Sequence, residues 1–202
     1  MRCGIDEAGR GPLAGPVCAA AVILGDDFPI EILNDSKKMT EAQRTKAMVA
    51  IYAQAKAWGI GWASHVEIDE INILNASLLA MQRAFQELTL RCSEVVWLQL
   101  QEIVVDGLYV PQLETKESVV LRPMVKADSI CPEVMAASIL AKTARDRMMQ
   151  RYGWIYPEYG FEQHKGYPTA MHRDRIARFG PSPIQRMSFN SGPLQGTLPF
   201  DS

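Results

Sequence analysis

With 202 residues, 48% of them hydrophobic, the chain is long enough to bury one sizeable core, which excludes a disordered or fibrous protein. Cys3, Cys18, Cys92 and Cys131 show neither a CxxC spacing nor a tight cluster, which argues against a disulfide scaffold or a zinc site. The formal charge of −2 hides an uneven spread: residues 1–141 hold 12 Lys/Arg against 18 Asp/Glu, and residues 142–186 hold 9 against 4. An acidic body with a basic C-terminal segment suits a metal site beside a phosphate-binding surface, and equally suits a basic, solvated helical face. The N-terminus does not read as a signal peptide and no apolar run is long enough to span a bilayer, so a cytoplasmic protein with no membrane contact is expected.

The first 24 residues contain two apolar runs, RCGI and VCAAAVIL, separated by a Gly/Pro-rich turn. A third, WGIGWAS, follows near residue 60, and together they predict an antiparallel meander. Thr40 with Gln43 has capping-box spacing and opens a helix through TEAQRTKAMVAIYAQAKA. Ser64 with Glu67 repeats the signal. The helix it opens carries Ile71, Leu74, Leu78, Met81, Phe85 and Leu88, an apolar stripe that reads as core. EIVVDG and SVVLRPMVKAD are strand-like, and Pro132 suits the first turn of a helix reaching about Tyr152. Strands followed by strands alternating with helices point to an α/β fold with a mixed sheet. We therefore divide the chain into a catalytic core over 1–152, a smaller Gly/Pro/aromatic and helical subdomain over 153–190, and a flexible tail over 191–202.

Four acids stand at or near the ends of apolar strand-like runs: Asp6 and Glu7 after RCGI, Asp106 after EIVV, and Asp128 after SVVLRPMVKA. Singly, each reads as well as a solvated turn residue. As a set on neighbouring strands they would repel one another unless cations neutralise them, and hard oxygen ligands select Mg²⁺ or Mn²⁺. Two such ions about 3.5–4 Å apart would activate a water and stabilise the leaving oxygen of a phosphodiester. Adjacent residues of a regular strand face opposite ways, so the strand is expected to twist or finish at Glu7 if both acids serve one site. Gly9 and Gly11 would permit close backbone approach to a substrate, with Arg10 supplying a rigid fork of donors.

The blocks GIDEAGRGPLAGPV, NDSKKMT, NILNASLLAMQRA, VVDG, KADS, PEVMAASILAKTARDRMM and YGFEQHKGYPTAMH, in this order from about residue 2 to 190, resemble bacterial ribonuclease HII. The resemblance implies a ribonuclease H-like fold, a mixed five-stranded sheet flanked by helices with a small helical C-terminal subdomain. It also implies endonucleolytic hydrolysis of RNA in RNA/DNA hybrids and at single ribonucleotides in duplex DNA, leaving 3′-hydroxyl and 5′-phosphate ends. Carried over by position, Asp6, Glu7, Asp106 and Asp128 are the metal-binding catalytic carboxylates. Gly9, Arg10 and Gly11 form the turn that reads the 2′-hydroxyl, the group that marks RNA, and Tyr167 packs on the sugar at the junction. Lys37 and Lys38, with Ser36, resemble the family's phosphate contacts.

Lys126, Lys142, Arg145, His164 and Lys165 are further candidates for the duplex path, with His164 equally readable as a satisfied structural histidine, and Asp146 is the rival to Asp128, although arginines on both sides of it suggest a surface ion pair. The chain departs from the family at Ala127, where glycine is usual, and at Met39, where leucine is commoner; only modest packing adjustment is expected. Outside the family core, QGTLPF resembles the Gln-x-x-Leu-x-Phe peptides that dock on the bacterial sliding clamp, with Gln195, Leu198 and Phe200 as anchors. A monomer is expected. The competing readings are a carboxylate-dependent nuclease or strand-transfer enzyme acting on DNA, and a nucleic-acid-binding module without catalysis.

Overall fold

The three N-terminal apolar runs form the meander: β1 (Arg2–Ala8) pairs antiparallel with β2 (Val17–Ile23), which pairs antiparallel with β3 (Ala57–Ala63). These coordinates are a computed structural model that describes residues 1–189. Between β2 and β3 lies α1 (Glu41–Gln54), started by the reciprocal box of Thr40 and Gln43. α2 (His65–Arg91) starts on the equivalent box of Ser64 and Glu67, and α3 (Glu94–Gln99) leads into β4 (Glu102–Asp106) and β5 (Val120–Met124). α4 (Pro132–Ile155) has Pro132 in its first turn, and the short α5 (Phe161–His164) and α6 (Ala170–Phe179) follow. β4 lies parallel to β1 and β5 parallel to β4, giving a mixed sheet of order β3-β2-β1-β4-β5.

Both faces of this sheet are covered, which is why β2 reads as an unbroken apolar run rather than an alternating one. Its odd positions, from Val17 to Ile23, pack with α2, and Cys18, Ala20 and Val22 pack with α1 and α4. The approach of α2 is unusually close. A Cβ on Gly61 would lie 2.1 Å from the Ala80 carbonyl oxygen and 2.3 Å from the Ala84 nitrogen, and Gly59 stands in the same relation to Ala84 and Leu88. The buried face of α2 is therefore Ala76, Ala80, Met81, Ala84, Phe85 and Leu88.

This corrects the expected stripe. Ile71 is exposed and Leu74 only half-buried, because α2 breaks at Asn72, whose backbone sits at φ 66°, ψ 166°. The Asn72 side-chain oxygen accepts from the N–H groups of Leu74 and Asn75, restarting the helix as an N-cap does. The turn before the break has a different phase from the turns after it.

Gly61→Ala should cost about 2–3 kcal/mol, because the added methyl meets helix backbone that cannot yield without α2 lifting off the sheet. Urea unfolding measures it; an unchanged midpoint would show that α2 does not rest on the sheet backbone.

Candidate active site

β1 and β4 pair in parallel only as far as Ile5 with Val105, and Asp6 and Asp106 are the next residue on each strand. By strand alternation they share the face of Gly4 and Val104, the α4 side of the sheet. Gly4 is required there, since a Cβ would lie 2.3 Å from the Val134 nitrogen of α4. Asp128 arrives from the 3-10 turn Ala127–Ser129 beyond β5, where Lys126 at φ 62° reverses the chain and the Ala127 N–H donates to Asp106 Oδ1 at 2.7 Å. Ala127 is fully buried beside Val104 and Val134, so its methyl is packed without distortion. One carboxylate oxygen from each of Asp6, Asp106 and Asp128 lies within 4.8 Å of the other two. The cluster thus occupies the carboxyl ends of parallel strands, the usual crevice of α/β sheets.

Such a cluster raises its own proton affinity. Burial, then the charges of Glu7 and Asp106, hold the Asp6 carboxyl well above the usual range, while a Ser138 hydrogen bond works the other way. Burial and Asp128 likewise raise Asp106. Lys37 Nζ reaches Asp128 Oδ2 at 3.3 Å although the lysine side chain is largely exposed.

Glu7 lies outside the group of three. Of the two departures expected at Glu7, a twist or an end of the strand, the second does not occur: β1 stays in register through Ala8, with Glu7 opposite Ala19. Its Oε1 accepts from Arg10 at 3.2 Å, and its Oε2 is buried without a hydrogen-bond partner among the described residues. Burial raises its pKa, opposed by Arg10 and reinforced by Asp106. An orphaned carboxylate oxygen beside three crowded aspartates, with no Cys or His in the set, is a donor arrangement that fits hard divalent cations.

A cleft beside the cluster brings the other expected residues together. Its walls include Glu7, Gly9, Arg10, Gly11, Ser36, Lys37, Lys142 and Tyr167. Tyr167 faces the turn across it: a Cβ on Gly11 would stand 3.8 Å from the Tyr167 ring. Ser36 is buried, its hydroxyl 2.9 Å from that of Ser138 on α4. Lys38 does not line the cleft and pairs with Asp35 at 3.7 Å. Lys142 pairs with Asp146 at 2.9 Å, so the partner of Asp146 is neither neighbouring arginine, and Asp146 is not in the carboxylate group.

Two other candidates for the duplex path are internal. Arg145 is buried, donating to the carbonyls of Pro16, Lys165 and Ala14. His164 is buried and stacked on His172 at 4.3 Å, bonded to the Tyr159 carbonyl and the Gly166 N–H. Gly9 adopts φ 98°, and a Cβ there would lie 1.9 Å from Arg145 Nε, so this glycine is needed for the packing beneath the turn. Sequence reasoning missed Arg186 altogether. It is fully buried and donates to the carbonyls of Gly9, Arg10 and Gly15; burial, then nearby Arg145, push it down to about 9. A lone arginine in an irregular segment carries no pattern that would have marked it.

One protein family matches most of the chain's length. The family model described as Ribonuclease HII matches residues 3–191. Ribonuclease HII of Treponema denticola is 57% identical over 195 residues, covering 94% of this chain and 98% of that protein. Ribonuclease HII of Nitrosospira multiformis is 49% identical over 187 residues, covering 93% and 88%. Among solved structures, the PCNA:RNase HII complex from Archaeoglobus fulgidus matches with a TM-score of 0.70 at 25% identity, covering 93% of this chain and 92% of that one. Bst-RNase HIII in complex with Mn²⁺ gives a TM-score of 0.72 at 17% identity over 94% of this chain and 67% of that one, a likeness of fold. With its mixed sheet, its crowded aspartates and a family match across nearly its whole length, the chain belongs to the ribonuclease HII family of metal-dependent endoribonucleases, which hydrolyse RNA in RNA/DNA hybrids.

Proposed function

We propose that this chain cuts RNA/DNA hybrids endonucleolytically and also cuts at single ribonucleotides in duplex DNA, leaving 3′-hydroxyl and 5′-phosphate ends. The observation that carries the reading is the convergence of Asp6, Asp106 and Asp128 beside a cleft walled by Gly11 and Tyr167. On this reading Asp6, Asp106 and Asp128, with the unpartnered oxygen of Glu7, hold Mg²⁺ or Mn²⁺. Divalent ions bound there would supply an activated water and stabilise the leaving 3′ oxygen. The chain's own groups do the rest. Lys37, exposed beside Asp128, offers an ammonium to the phosphate backbone, with Lys38 a second phosphate contact from outside the cleft; Ser36 supports the floor through Ser138. Gly9, Arg10 and Gly11 address the 2′-hydroxyl, and the half-exposed Tyr167 ring closes on the sugar from the segment 153–190. We further propose a cytoplasmic monomer.

A duplex DNA carrying one ribonucleotide tests this directly. With Mg²⁺ or Mn²⁺ the wild type should cut at that nucleotide, Asp6→Asn and Asp106→Asn should lose more than about 100-fold while still binding, and Tyr167→Ala or Arg10→Ala should lose about tenfold there. No cut by the wild type sinks the proposal.

The raised carboxyl pKa values carry a stability consequence. In the metal-free protein the folded state keeps protons that the unfolded chain has released, so the contribution of Asp6 and Asp106 is present at acid pH and lost as pH climbs through their raised values. At neutral pH the metal-free Asp6→Asn variant should therefore be more stable than wild type by roughly 1 kcal/mol, and Mg²⁺ should raise the melting temperature of the wild type more than that of the variant. Equal metal-free melting temperatures across pH 5 to about 8 would remove the role of repulsion.

The peptide from Gln195 to Phe200 lies outside the described residues. The archaeal PCNA:RNase HII complex supports reading Gln195, Leu198 and Phe200 as anchors for a sliding clamp. Purified clamp should bind the full chain and not a chain ending at residue 190; equal binding refutes it.

A further inference from the structure

The loop leaving β1 turns its carbonyl oxygens inward. Arg186 donates from Nη2 to Gly9 O at 2.6 Å, from Nη1 to Arg10 O at 2.9 Å and from Nε to Gly15 O at 2.8 Å. Beside it Arg145 holds the Ala14 and Pro16 oxygens, and the Arg186 backbone N–H holds Leu13 O. Among the described residues neither guanidinium pairs with a carboxylate. Burying a cation against carbonyls and ring faces, with no carboxylate paired to it, is expensive, and a Met or Leu would fill the same space at lower cost. The arginine fork is what several converging carbonyls require.

A peptide unit is planar and trans here, so its C=O and N–H point opposite ways. The Gly9 carbonyl shares a plane with the Arg10 N–H, and the Arg10 carbonyl shares one with the Gly11 N–H. Drawing both oxygens into the interior aims both N–H groups outward, on the side where Gly9, Arg10, Gly11 and Tyr167 wall the cleft. Neither N–H has a hydrogen-bond partner among the described residues. We propose that Arg186 is a positioning residue for ribonucleotide recognition: by holding the Gly9 and Arg10 carbonyls inward, it presents the Arg10 and Gly11 N–H groups as a pair of fixed donors to a substrate oxygen. The inference rests on the reading that Gly9 to Gly11 address the ribonucleotide. Arg186 is itself fixed from the far side, where Asp69 of α2 accepts from the Met187 and Ser188 N–H groups at 2.8 and 2.9 Å.

The test is the ratio of affinities for a duplex with one ribonucleotide and for the same duplex in all-DNA form, measured by fluorescence anisotropy with Mg²⁺ in an Asp106→Asn background that prevents cutting. If the donors meet the 2′-hydroxyl, Arg186→Lys, which keeps the charge and loses the fork, lowers the ratio about tenfold with all-DNA affinity unchanged. Equal weakening on both duplexes would mean contact with phosphate or a merely structural role, and overturns the proposal. Gly11→Ala separates the two layers of argument. A lowered ratio in Gly11→Ala with a wild-type ratio in folded Arg186→Lys overturns the positioning role and leaves the reading of the turn intact. Wild-type ratios in both overturn the reading and the inference with it. Should circular dichroism show Arg186→Lys unfolded, Asp69→Asn decides: it loosens the strap that carries Arg186 without touching the turn, and an unchanged ratio there overturns the proposal.

Discussion

Three carboxylates share a space 4.8 Å across, and much of the molecule exists to keep them there. Left to themselves they would move apart or take up protons. The parallel register of β1 and β4 sets Asp6 and Asp106 side by side, and pairing stops one residue before them, so the crevice opens where the acids stand. The turn after β5 adds Asp128 and is tied back by the Ala127 N–H on Asp106. With α2 seated on the backbone of β3 and α4 on that of β1, neither face of the sheet has room to relax the crowding.

Which parts of this were legible in the sequence depended on range. Local signals read directly: both capping boxes, the Pro132 helix start and the meander are written in adjacent residues. Asp106 was legible as an acid closing an apolar strand, and Asp128, in the turn beyond β5, because a family pattern held the acids in order. The α2 stripe held from Leu78 to Leu88 and failed before it, at Ile71 and Leu74, and it left out the alanines that face Gly59 and Gly61 where helix and strand backbones touch. Arg145 and Arg186 were misread or missed for one reason, whereas His164 is the hydrogen-bonded structural histidine that the sequence equally allowed. A basic residue looks the same in sequence whether it meets phosphate or a buried carbonyl, and only the 131-residue and 177-residue separations closed by the fold reveal the second use.

Those long-range bonds change how the C-terminal segment is regarded. Leu13 N–H donates to Gly166 O, Gly15 N–H to Ile184 O, and Ala14 pairs with Gln185. Met149 of α4, Tyr159, Phe161 and Ile184 pack around Ala14 in one cluster. The loop that follows β1 is therefore built from both ends of the described chain, and the segment that carries Tyr167 also holds the loop that Tyr167 faces. Its placement is a condition of the turn's shape.

Cutting and recognition, as we propose them, then share one rigid frame. Asp6 and Gly9 are three residues apart on the same chain, with β1 regular through Ala8, so the distance from the carboxylate cluster to the turn is set covalently and by strand geometry. Glu7 lies between them and binds Arg10, linking the cluster's edge to the turn. On the other side Arg186 fixes the peptide planes and Tyr167 limits what enters. A sugar displaced by one nucleotide would face these donors with the wrong atoms, because the backbone groups that present them are held by the buried Arg186. Specificity on this view comes from a fixed offset along β1 rather than from the strength of any single contact, and a substrate lacking the 2′-hydroxyl leaves two outward N–H groups unmet at the point where the phosphate must be held.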